Sequence, residues 1–485
     1  MIETTRISLG EWTPDQHAVS GSLRDAKNVY PVSLGYAPFP NAEDYSNSAV
    51  EDLNSVLVGK YGDNVQILAG GATKLFRYNP TNRNLDDVSK VGGYSSTSPW
   101  RFTQFGNAII GANDQEKLQT WYIGSSSVFA DADASAPIAK FVTVVRDFVV
   151  AANINTGSDP TKVIWSDIND ETNWTSGTTS QSDFQLIGDG GNITGLSGGE
   201  FGLIFLEKAI VRMSYIGSPL FFQFDTISRG LGCIDGGSIA QFGGETFFLS
   251  DDGFYKCDGT SVVGIGTEKV DRYFFDDVAL TDIDSMSTSV DPVKKLVIWN
   301  YPNVQGQRST LVYNWQLNKW SRAVTDANVL GNIATAGVVL ETLDVLYGTL
   351  EAMPASLDDR VFVGGKFLFA GARGNKIITF TGSNYNSEII TSDLEFGYNS
   401  VINLIRPQID TVGSGGVNGL STIKIASRKN LFDPLVFSGT YTTSNIGRTS
   451  LRSGGRYHRI AIEPLGTLWS NVIALDIEYI KTGNR

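Results

Sequence analysis

The sequence predicts an all-β protein: a β-propeller of six or seven blades, an appended C-terminal β-sandwich-like domain and an extended N-terminal arm. Three observations predict it. Runs of roughly four to eight aromatic and β-branched residues are broken repeatedly by Gly, Asn or Asp. These runs fall into groups that recur every ~40–50 residues, the period of four-stranded blades. Gly is abundant at 52 and Met rare at 4, which suits many turns and few long helices. One small sheet cannot hide both faces, but stacking it on the next does so, and closing the ring removes the exposed ends.

Residues 1–50 read as the arm. Pro31, Pro38 and Pro40 in YPVSLGYAPFPNAEDY fix φ and remove backbone donors, so an extended, partly polyproline-like strap that avoids sheet pairing is expected. Residues 51–383 read as the propeller. NVQILAGG and ATKLFRYNP (64–80) are two strands about a Gly turn. WRFTQFGNAIIGANDQEKLQTWYIG (100–124) turns at Gly106-Asn107 and Asn113-Asp114. KFVTVVRDFVVAANI (140–154) turns at Arg146-Asp147, and KVIWSD (162–167) follows. LSGGEFGLIFLEKAIVRMSYIG (196–217) turns at Gly198-Gly199 and near Glu207-Lys208. SIAQFGGETFFLSDDGFYKCDGTSVVGI (238–265) turns at Gly243-Gly244, Asp251-Asp252-Gly253 and Asp258-Gly259. KKLVIWNYPNVQGQRSTLVYNWQLNKWSRAV (294–324) turns at Val304–Gln307 and Gln316–Asn318. DVLYGTLE (344–351) and the strands up to residue 382 complete the series.

One segment departs from this rhythm. In TEKVDRYFFDDVALTDID (267–284), Val270, Phe274 and Val278 fall at i, i+4 and i+8. That spacing predicts a short amphipathic helix with an acidic outer face, packed on a blade edge or a neighbouring subunit. Residues 384–485 carry longer alternating strands. Ile460 and Ile462 mark one inner face, and Ile473, Leu475, Ile477 and Tyr479 another, with a hairpin punctuated at Ser414–Gly416.

Charge is uneven along the chain. The net charge is −13, yet residues 384–485 hold 10 Lys and Arg against 8 Asp and Glu. The first 383 residues therefore hold 28 against 43, and they contain no basic block suited to gripping nucleic acid. No window reaches the ~18 consecutive apolar residues of a membrane-spanning helix. MIETTRISLGEWTPDQ lacks the pattern of a signal peptide. Cys233 and Cys257 are the only cysteines, outside any CxxC, and read as buried thiols of a protein assembled in a reducing cytosol.

Catalytic chemistry finds little to work with, and no catalytic, cofactor or metal residue is assigned. His17 and His458, the only histidines, lie in the arm and in mid-strand, without a nucleophile or ligand spacing beside them. Asp276, Asp277, Asp282 and Asp284 cluster, but not in a D-x-D-x-D-G loop with a distal Glu, so no Ca²⁺ site is assigned. Asp251-Asp252-Gly253 and WSDINDETNW (165–174) bear a faint likeness to the Asp-box turns of sialidase-type propellers. The pair reads as a hairpin turn in the place that Gly-Asn, Arg-Asp and Lys-Ala occupy in sister units. Trp100, Trp121, Trp165, Trp174, Trp299, Trp315 and Trp320 recur about once per unit. They read as blade core, with a glycan-binding or glycan-cleaving propeller as the alternative function and a cellular scaffold propeller behind it.

Several stretches together resemble the tail nozzle, or tail hub, proteins of short-tailed bacteriophages, also described as packaged-DNA stabilisation proteins. They are GEWTPDQ…GSLRDAKNVYPVSLGYAPFP, VIWSDINDETNW, FLSDDGFYKCDG…IGTEKVDRYFFDDV, KKLVIWNYP…TLVYNWQLNKWS and the C-terminal SGGRYHRIAI…LDIEYIKTGNR. The resemblance spans most of the chain in short motifs. It implies a non-enzymatic virion protein with a propeller body and no cofactor, assembled in the host cytoplasm. It also implies a homo-oligomeric ring, usually of six copies, below the head-to-tail adaptor. Such a ring contacts fibres or spikes and passes double-stranded DNA without reading its sequence.

Overall fold

The computed structural model describes residues 2–95, 98–155, 158–335, 349, 365–411, 421–467 and 469–482. The expected strand in DVLYGTLE, Thr349 apart, and the hairpin at Ser414–Gly416 lie outside them. The fold is nearly all β. Six separate four-stranded sheets cover residues 53–87, 101–131, 139–186, 193–229, 240–264 and 329–379, the last completed by Glu43–Asp44 of the arm. A seventh four-strand unit, 287–323, sits between the fifth and the last. In chain order these are units one to seven, with unit six the one whose sheet runs on beyond its outer strand. The innermost strand of unit seven, Val329–Ala334, packs against that of unit one, Leu53–Tyr61, and this contact closes the propeller.

Local sequence explains the hairpins. The first turns of units one, two, three and five open on Gly62, Gly106, Arg146 and Gly243, all at positive φ, where the twist of a tight hairpin is matched. Apolar residues of each central strand then face both neighbours. Among the described residues seven buried clusters result, one between each pair of adjacent units. Trp100 with Trp121 lies between units one and two, Trp165 with Phe222 between three and four, and Phe39 with Phe369 between six and seven.

The C-terminal region is a large sheet domain. Thr449–Pro464 runs between Leu394–Thr411 on one side and Ser421–Arg428 on the other, and Trp469–Lys481 flanks Leu394–Thr411. Ile460, Ile462, Leu475, Ile477 and Tyr479 point inward as expected, but Ile473 does not. Gln408 faces Ala474 and Ile409 faces Val472, so Ile473 is the extra residue of a bulge and Val472 takes the inner place.

The arm is not a strap laid over finished surfaces. Ile2–Ser8 pairs with Trp469–Lys481, Val29–Val32 with Gly35–Pro38, and Glu43–Asp44 with Lys376–Thr379. Pro31 is tolerated within a strand because Val29–Val32 is the outer edge of its sheet, where a missing donor costs no ladder bond. Asp25–Lys27 pairs with Lys319–Ala323 of unit six and with Glu388–Ile390 of the C-terminal domain, making one 14-stranded sheet. Arg322 and Asp25 lock this joint through two 2.6 Å hydrogen bonds. Asn28, at φ 57°, donates to the Asn386 carbonyl and accepts from the Val324 N–H, both at 2.8 Å.

Candidate functional site

The Asp251-Asp252-Gly253 stretch forms the second hairpin turn of unit five, between Glu245–Leu249 and Phe254–Cys257. This corrects part of the alignment of turns: Gly106-Asn107 and Arg146-Asp147 are first turns, whose counterpart in unit five is Gly243-Gly244. The true sisters of the Asp pair are the second turns, among them Asn113-Asp114, Glu207-Lys208 and Val304–Gln307. The Ser250 N–H donates to the Gly253 carbonyl at 2.8 Å, Lys208 pairs with Asp251, and the Tyr255 hydroxyl donates to Asp252 at 2.9 Å.

Gly253 is required for a specific reason. It sits at φ 155°, and a Cβ there would meet the Asp271 carboxylate 2.3 Å away. That carboxylate fills the glycine's empty side and accepts from the Phe254 N–H at 3.1 Å. Burial pushes Asp271 up to about 6, the Phe254 N–H partly offsetting it.

Asp271 opens helix α1, Asp271–Asp277, which is shorter than the sequence suggested; Leu280–Ser285 continues as a 3-10 turn. Val270, Phe274 and Val278 are buried as expected, against Phe254 and Tyr301 of the neighbouring units. Residue Val270 cannot cap the helix with its own side chain. Asp15 of the arm does it instead, accepting from the N–H groups of Arg272 and Tyr273 at 2.9 Å each. Lys269 pairs with Glu11 at 2.7 Å alongside.

A cleft of about 700 Å³ lies between arm, helix and hairpin, lined by Asp15, His17, Asp252, Tyr255, Glu268 and Asp271 among others. Asp15, Asp252 and Asp271 each already serve a backbone or hydroxyl donor. Among the described residues no three His, Cys, Asp or Glu side chains are placed to hold a metal ion. The arrangement therefore fastens three elements, and the Asp pair is a turn with a clamp behind it.

The remaining candidates are dispersed. His17 is exposed at the rim of this cleft, while His458 is fully buried between the hydroxyls of Ser400 at 2.8 Å and Ser427 at 2.7 Å. Burial lowers His458 to about 4 and keeps its ring neutral. Cys233 and Cys257 are both buried between units four and five. Asp277 accepts from the Tyr301 hydroxyl at 3.0 Å. Of the seven tryptophans once per unit, all but Trp315 are buried, which favours their core role; Trp315 is partly covered by Phe242 and Phe247.

Sequence reasoning missed one cluster. Asp393, with no exposed side-chain surface, accepts from both Arg428 and Arg459. Those partners are 35 and 66 residues away, so no local spacing announces them.

No protein-family model matches the chain, and no curated protein does. Among solved structures, the chain resembles the computationally designed Ika8 protein at 8% identity and a TM-score of 0.38, covering 70% of this chain and 98% of that one. It also resembles BamB from Moraxella catarrhalis at 10% identity and a TM-score of 0.37, covering 78% and 97%. Likenesses this distant carry nothing about function.

Proposed function

We propose that this chain is a structural subunit of a short-tailed phage tail: a nozzle or hub protein that forms a ring below the portal adaptor. In this reading the ring continues the DNA channel, retains the packaged genome and lets it leave on infection. The protein is then a virion component without catalytic activity, contacting copies of itself, the adaptor, and fibres or spikes.

The observation that supports the reading best is where the resembling motifs fall. Trp12, Asp15, Asp25 and Asn28 from the first motif, Asp271 and Phe274 from the third, and Trp320 from the fourth are the residues that join arm, helix, unit six and C-terminal domain. Residues from three of the five resembling motifs thus help to set the architecture. The acidic balance of residues 1–383 suits a wall that repels phosphate and lets duplex slide.

Electron microscopy of the purified full-length protein, alone and mixed with a phage adaptor ring, tests this. Closed rings with a central channel that dock onto the adaptor are expected. A monomer at micromolar concentration that ignores the adaptor overturns the reading.

A further inference from the structure

The axis of the propeller holds a cavity of about 240 Å³, walled by the inner strands of units two to five. Its apolar wall comes from Phe141, Val142, Leu196 and Ile239, and its polar groups are Arg101, Thr103, Thr143, Ser197 and Gln241. Two of these are already engaged. The Ser197 hydroxyl is hydrogen-bonded to Thr246 at 3.0 Å, and the Gln241 amide donates to the Gly198 carbonyl at 2.5 Å.

The other three are not. Among the described residues, neither the Arg101 guanidinium nor the side-chain hydroxyls of Thr103 and Thr143 make any hydrogen bond or ion pair. All three are half-buried on neighbouring inner strands, Arg101–Phe105 and Ala139–Val145, and open into the same space. Gly198 makes room for this: a Cβ there would come within 2.4 Å of the Thr143 hydroxyl.

Two cations and one further carboxylate, Asp284, act on the surroundings of the cavity, so positive charge is in excess. Arg101 and Lys140 both act as cations on the nearby Asp235. Asp235 is turned to its own backbone, accepting from the Gly237 N–H at 2.5 Å at the start of the Gly236–Ser238 turn, and burial disfavours its charged form. A guanidinium fork with two hydroxyl donors is matched by a group that has several acceptor oxygens and negative charge.

We infer that the propeller axis is a binding site for a small oxyanion, a carboxylate or phosphate group, held by Arg101, Thr103 and Thr143. The volume admits a compact metabolite and excludes a nucleic-acid chain. The site lies within one subunit, so the inference stands apart from ring assembly and goes beyond the proposed tail role.

Calorimetric titration of the full-length protein with inorganic phosphate and, separately, with succinate tests it at constant ionic strength. At least one should bind saturably at one site with a Kd of about 1 mM or tighter. The tighter of the two identifies the chemistry as phosphate or carboxylate. Arg101→Gln should weaken that binding about 10-fold or more, and Thr143→Val by a few-fold. Arg229→Gln, on the outer strand of unit four, should leave it unchanged. If Arg101→Gln loses its native circular dichroism, Thr143→Val alone carries the test. No saturable binding of either anion up to ~10 mM overturns the inference. So does a folded Arg101→Gln that binds like the parent, or a folded Thr143→Val that does.

Discussion

Units one and six are built from the same four-strand pattern, yet they end differently. Unit one finishes at Leu85–Asp87, whose outer edge pairs with no further strand among the described residues. Unit six finishes at Lys319–Ala323, whose edge receives Asp25–Lys27 and through it the whole C-terminal sheet. Their cores differ accordingly. Around unit one, the buried residues belong to adjacent units and to the arm segment beside them. Around unit six, one continuous cluster takes in Trp12 and Tyr36 of the arm, Phe274 of α1, Trp299 and Trp320 of the unit, and Ile402 and Ile460 of the C-terminal domain. A repeated unit becomes a joint when its last strand is given a partner, and the joint is where the largest aromatic side chains gather.

The comparison can be broken at its centre. Trp320→Ala removes a fully buried ring packed on Trp299, Tyr313 and Phe254, and its indole N–H bond to the Ile265 carbonyl at 2.9 Å. Denaturant unfolding should show a loss of about 3–5 kcal/mol. An equal truncation between two free units, Trp165→Ala, should cost the same order but leave the C-terminal sheet protected from hydrogen exchange.

Asp25→Ala sharpens it. The substitution leaves Arg322, only 26% exposed at its side chain, without its carboxylate. A loss of about 2–4 kcal/mol is expected, with faster amide exchange confined to residues 25–27, 319–323 and 388–390. Uniform acceleration through units one to four would show that the joint is not local.

The C-terminal half of the comparison responds to acid. His458 titrates at about 4 in the fold and near 6.5 when unfolded. Between those values the unfolded chain binds the extra proton, so the native state is favoured fully above pH ~6.5 and progressively less as pH falls toward 4. About 2 kcal/mol should be lost between pH 6.5 and 5 from this group. Asp271, raised instead, works in the opposite sense: the native state holds its proton longer, so its contribution declines as pH rises from about 4 through 6. Unfolding curves of His458→Gln across this range should lose the acid-destabilising slope and leave the Asp271 trend.

The smallest effect is expected at the surface. Asp251→Asn breaks the pair with Lys208, where both side chains are about half exposed. Its cost should stay below ~1 kcal/mol in the same unfolding assay. A larger loss would restore a role to the Asp pair beyond the turn.

The blades were legible in the sequence because each is local: alternation, then a turn residue at positive φ, within a few dozen residues. The buried faces of α1 and of Ile460 and Ile462 were legible for the same reason. What escaped is non-local. Pro31 and Pro38 suggested an arm that avoids sheets, but whether a proline blocks pairing depends on which edge it occupies, and that is set by strands hundreds of residues away. The bulge at Ile473 depends on the register of Leu394–Thr411. Asp271 looked like one acid on a helix face, and only the fold brings Gly253 against it. The axial cavity could not be seen at all, since Arg101, Thr103 and Thr143 converge only when the ring closes.

The pairing of Glu43–Asp44 with Lys376–Thr379 has a consequence for biosynthesis. Asp44 and Lys376 are 332 positions apart, so a ribosome working from the first codon onward finishes nearly the whole propeller before the last blade can be sealed. Until then Glu43–Asp44 waits unpaired for a partner translated much later. During that interval the nascent chain is most open to proteases and to mispairing with a neighbouring copy, and any slowing of translation past residue 335 should lengthen it.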